Sequence, residues 1–161
     1  MKHAGPLGAA VLLLAVGVAS AETASDRAFL KKAIEGDNSE IMLGKIAQTR
    51  GASPDIKDFG AMLVTDHTKA REEAMRVAAR IGVMMPTRLM KEVEDERGKL
   101  ERLSGAAFDV EFARYMVKDH RHDIADFEKE AVNGHGATAA LAKTQLPILQ
   151  KHLNTAQRLA T

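Results

Sequence analysis

The chain has 161 residues, and 23 Lys+Arg against 22 Asp+Glu give a formal charge of +1, which fits one domain and leaves no basic stripe to hold nucleic acid. The absence of Cys excludes disulfides, Cys-ligated zinc, iron–sulfur clusters, thiol catalysis and an N-terminal lipidated Cys. With 45% hydrophobic residues, 28% charged residues and only 4% aromatics, the core must be built from Leu, Ala, Met and Val, the usual filling of a helical bundle.

Residues 1–21 read as a signal peptide. Lys2 supplies a positive start, Leu7 to Val18 is an apolar run too short for a membrane span, and Ala19-Ser20-Ala21 is a small-x-small cleavage site. Cleavage is expected after Ala21, leaving an exported, periplasmic domain over 22–161 with no transmembrane segment and a formal charge of zero.

The remainder divides into helices at turn signals. From Asp26 to about Arg50, Phe29, Ala33, Gly36, Leu43 and Ala47 mark one helical face, and Glu40 fills the gap in the series. Ser53-Pro54, an N-cap with proline in the first turn, opens a second helix that ends at Gly82. On its apolar face His67 fills a gap between Leu63 and Ala70. Pro86-Thr87 opens a shorter, charged crossover helix running to about Leu103, closed by Ser104-Gly105. Ala106 to Asn133 is the next long helix, with Phe112, Met116, His120 and Phe127 on one face. The last runs from Ala137 to Leu159, with Leu141, Gln145, Ile148 and His152 on its face and Pro147 expected to kink it. Two long hairpins joined by a long connection predict an all-α, ferritin-like four-helix bundle with a short crossover helix between helices 2 and 3.

An internal echo sharpens the reading. Phe59-x-x-Met62-Leu63-Val64-x-Asp66-His67 is matched by Phe112-x-x-Tyr115-Met116-Val117-x-Asp119-His120 at a constant offset of 53. At about 100° per residue each His lies about 40° from its face centre, so both point inward, and Asp123 also lies near that face. Counting from the turns, Glu40 and His67 differ in height by roughly 7 Å, and His120 and His152 are nearly level.

Each long helix therefore offers one ionisable residue near its middle: Glu40, His67, His120 and His152. Imidazole nitrogen with carboxylate oxygen suits zinc, iron, manganese, nickel or copper, and Asp66, Asp119 and Asp123 are candidate supports for the imidazoles. The alternative is a metal-free buried polar network in an envelope-stress or protein-interaction bundle. With no Glu-x-x-His and a single inward Glu, one ion is favoured over a di-iron centre. Met84, Met85 and Met90 read as loop packing rather than a soft copper(I) site, and His122 and His135 read as surface and turn residues. The sequence carries no nucleophile or organic-cofactor motif, and it leaves homo-oligomerisation open.

The chain resembles the domain of unknown function 4142 family from about Asp26 to Leu159. The resemblance is carried by Glu40-x-x-Leu43-Gly44-Lys45, Asp66-His67-Thr68, Leu103-Ser104-Gly105-x-x-Phe108-Asp109, Asp119-His120-x-x-Asp123 and Leu146-Pro147-x-Leu149-x-x-His152-Leu153. It implies an exported ferritin-like bundle and no established activity, substrate or metal.

Overall fold

The computed structural model describes residues 22–161; the expected signal peptide and its cleavage site lie outside the described residues. Five helices make up the described chain: α1 (Ala24–Arg50), α2 (Pro54–Ile81), α3 (Lys91–Leu100), α4 (Gly105–Asn133) and α5 (Gly136–Leu159). None is long and apolar enough to cross a membrane.

The helix starts follow their local chemistry. A capping box opens α1, where the Thr23 hydroxyl accepts from Asp26 N–H and the Asp26 carboxylate accepts from Thr23 N–H. Ser53 caps α2 through Ile56 N–H at 3.2 Å, with Pro54 in the first turn. Gly82 ends α2 at φ 68°, a left-handed position that disfavours any residue with a Cβ.

α1 pairs with α2 and α4 with α5 as antiparallel hairpins. The connection through α3 runs the length of the bundle. At one end Asp109 of α4 accepts from Ala52 and Ser53 N–H, both at 2.8 Å, in the α1–α2 turn. At the other, Glu22 accepts from Ala137 N–H at the start of α5. The crossover thus makes α2 parallel to α4, the ferritin-like arrangement the sequence predicts.

The crossover helix is shorter than expected. Residues 83–90 are not helical, and α3 begins at Lys91 rather than at Pro86-Thr87. The reason is α1: Ser39 Oγ accepts from Met90 N–H at 2.9 Å, and the Asn38 amide donates to the carbonyls of Pro86 and Arg88 at 3.4 Å each. These tertiary bonds hold the segment extended where a helix would have used the same groups itself. Met90 packs on the core, while Met84 and Met85 are 84% and 42% exposed, contrary to the loop-packing role expected of them.

Apolar clusters fill the two ends of the bundle. One holds Leu43, Phe59, Leu63, Phe112, Met116 and Ala156; the others hold Leu30, Ile34, Ala74 and Val77, and Phe127 with Leu149. In every long helix the break between clusters falls at the residue singled out above: Glu40, His67, His120 and His152. α5 continues unbroken through Pro147, and His152 is fully buried.

Candidate metal centre

The parallel run of α2 and α4 turns the sequence echo into a spatial one. Phe59 meets Phe112 edge-to-face at 6.0 Å between centroids, and two turns further on His67 meets His120 at 5.8 Å. From α5, His152 closes the group, 5.1 Å from the His67 ring and 5.3 Å from the His120 ring. Glu40 enters from α1, with Oε2 2.9 Å from His67 Nδ1 and Oε1 3.2 Å from His120 Nε2. All four residues are buried.

Each imidazole has one nitrogen engaged and one free. His67 Nδ1 donates to Asp37 Oδ1 at 2.9 Å, His120 Nδ1 to the Met116 carbonyl at 3.1 Å, and His152 Nε2 to Asp66 Oδ2 at 3.0 Å. The opposite atoms, His67 Nε2, His120 Nε2 and His152 Nδ1, are buried and make no hydrogen bond; His120 Nε2 faces Glu40 Oε1 at 3.2 Å in a geometry that falls short of one. Protons on the engaged nitrogens of His120 and His152 leave lone pairs on their other nitrogens, the tautomer that a metal-binding histidine adopts when its second nitrogen is held, whereas His67 must lose a proton from Nε2 before it can do the same.

The supporting carboxylates are partly those expected. Asp66 does hold an imidazole, that of His152. Asp119 lies instead beside Glu40 and His120, within ligand distance of both, and touches no imidazole nitrogen through a hydrogen bond. Asp123 lines a cavity next to the centre without holding a histidine. The residue missed is Asp37, which holds His67; its position three before Glu40, on the same helical face, was the available signal. His122 is exposed as expected, and His135 lies between α4 and α5, just before the first residue of α5.

Burial sets the electrostatics. Burial opposes charge on His67, but the Glu40 carboxylate and the Asp37 hydrogen bond outweigh it and hold its pKa well above 6.5. Burial likewise opposes charge on Glu40, yet His67 and His120 keep it ionised, well below the usual carboxylate range. His120 is pushed down by burial and the charge of His67, and His152 falls to about 4 for the same two causes. Burial raises Asp37 to about 6, and burial with the nearby Glu40 charge raises Asp119. In the protein alone, a single cationic His67 sits among an excess of buried carboxyl groups.

This donor set suits a first-row transition ion. One nitrogen from each of His67, His120 and His152 lies within 4.8 Å of the other two. Ligand nitrogens around a tetrahedral ion lie about 3.4 Å apart, so closing on one takes side-chain shifts of about an ångström. Two further groupings, Asp37–Glu40–His67 and Glu40–Asp119–His120, meet the same distance condition and share members with the first.

Comparison with known sequences places the chain. The sequence profile of the family described as "Domain of unknown function (DUF4142)" matches residues 14–159. The chain belongs to that family. No curated protein matches it. Among solved structures, the crystal structure of a DUF305 fragment from Deinococcus radiodurans is similar at a TM-score of 0.77, over 86% of this chain and 97% of that one, at 13% identity. That likeness bears on the fold alone, and agrees with the helical bundle described above.

Proposed function

We propose that this DUF4142 protein is exported and binds one divalent transition-metal ion in its bundle core, with Glu40, His67, His120 and His152 as ligands. The observation that carries this reading is the grouping of three buried histidines from three helices, each with a nitrogen within 4.8 Å of the others, and with Glu40 from the fourth helix against two of them. Burying a polar nitrogen without a good hydrogen bond costs about 1–3 kcal/mol, and a cation bound by the three imidazoles, with Glu40 turned onto it, offsets that cost. The supports at Asp37, Asp66 and the Met116 carbonyl are the kind that orient ligating imidazoles. Zinc, iron, manganese, nickel and copper all accept this mixture of nitrogen and oxygen.

Elemental analysis of the protein purified from the periplasm without a histidine tag tests it. The wild type is expected to carry close to one ion per chain, and the His67→Ala/His120→Ala double variant none. Metal absent from the wild type, with no uptake on titration, would leave the charged His67 between Asp37 and Glu40 as the centre of a metal-free polar network.

A further inference from the structure

A cavity of about 30 Å³ lies among α1, α2, α4 and α5 and reaches the cluster at Glu40 and His67. Ala33, Ala70 and Leu149 form part of its apolar wall. Its outer lining includes the part-exposed Lys32–Asp126 ion pair and the Phe29–Phe127 edge-to-face pair at 4.9 Å. Inside, Asp37 presents a second carboxylate oxygen, Oδ2, buried and without a hydrogen-bond partner, while its Oδ1 is taken by His67.

Resting on the metal reading above, we infer that this cavity is the binding site of small protic ligands, up to two waters or one hydroxylic molecule of two heavy atoms, lying between the metal cluster and the free oxygen of Asp37. Two independent features set its chemistry. The free Asp37 oxygen is an acceptor, so the occupant must bring a donor. One water needs about 10–15 Å³ of such space, so the volume admits two waters or one two-atom molecule and nothing larger. Four protein ligands leave a first-row ion able to take a fifth, and the cavity meets the cluster on the side of Glu40 and His67 rather than of His120 and His152. The centre is thereby open to hydroxylic molecules of one or two heavy atoms and closed to larger ones.

The test uses the full mature chain loaded with Cu2+, the divalent ion such sites bind most tightly, with occupancy read by electron paramagnetic resonance. Water-proton relaxation then reports an exchanging water on the ion. The wild type is expected to show that enhancement. Ala33→Val and Ala70→Val, which add methyl groups into the cavity, are expected to hold the same Cu2+ and lose it. Methanol should compete the enhancement away in the wild type, whereas tert-butyl alcohol should not, a comparison that needs no variant. Wild-type protein that retains no Cu2+ sinks the metal reading itself. Bound Cu2+ without the enhancement, equal competition by both alcohols, or folded valine variants that relax water like the wild type would overturn the cavity assignment and leave the metal site standing.

Discussion

His67, His120 and His152 differ in what holds their engaged nitrogens, and the differences have measurable consequences. Asp37 bonds His67 with a charge, whereas His120 leans on a neutral carbonyl of its own helix. Asp37→Asn keeps the size and an acceptor oxygen but removes the charge. Metal affinity, measured by competition with a chromophoric chelator, is expected to fall about 10–100-fold. A change smaller than twofold would mean that Asp37 does not support a ligand. His152 yields a pH prediction for the metal-free protein. Its pKa is about 4 when folded against 6.5 in the unfolded chain, because burial and the charge of His67 disfavour its cation. Between those values the unfolded chain binds more protons, so the stability present above pH 6.5 is lost as pH falls toward 4, by up to about 3 kcal/mol. Asp37, raised to about 6, acts in the opposite sense in wild type and variant alike. Urea unfolding of wild type and His152→Leu should therefore show the wild type losing ground to the variant across that window. A constant difference would contradict it. Glu40 and the three histidines were legible in the sequence as polar gaps in apolar series. Asp37 was signalled only by its place three before Glu40; its neighbours Gly36 and Ser39 blur the edge of that face, and contact with α2 settles which way it points.

At the scale of elements, the centre depends on how closely α1 approaches α2. A Cβ added at Gly44 would lie 2.8 Å from the Gly60 carbonyl oxygen, and one at Gly60 would lie 2.6 Å from that of Gly44. Both contacts are with backbone, which cannot swing aside, so the helices must separate. Gly44→Ala and Gly60→Ala are each expected to cost about 1–3 kcal/mol in urea unfolding. Both should also weaken metal binding, since Glu40 and His67 stand on the two helices pushed apart. Either alanine variant matching the wild type in stability would show that the approach is looser than described. The long helices were readable from caps and periodicity because those signals act within a turn or two of chain. The start of α3 was not, because Asn38 and Ser39, some fifty residues away, decide it.

For the whole molecule, the proposed centre, with one ligand from each long helix, would tie metal binding to folding, since the unfolded chain has no such site. Free metal at 100 times its dissociation constant should add about 2.7 kcal/mol to stability. A stripped sample should accordingly melt at a lower temperature than the loaded one, and refilling should restore it. The His67→Ala/His120→Ala variant should melt at one temperature with or without metal; a metal-dependent shift in that variant would place the ion elsewhere.

Composition and pattern sufficed for the helices, their number, the long crossover and the inward residue on each face, because hydrophobic periodicity and capping are local and survive without a partner to pack on. The hydrogen-bond partner of each histidine, the role of Asp37, the extended start of the crossover and the small cavity beside the centre came only with tertiary structure. Each depends on which groups face one another across helices at distances of a few ångströms. A sequence pattern assigns a side chain to a face, whereas hydrogen bonding and void space are settled by what the opposite face presents.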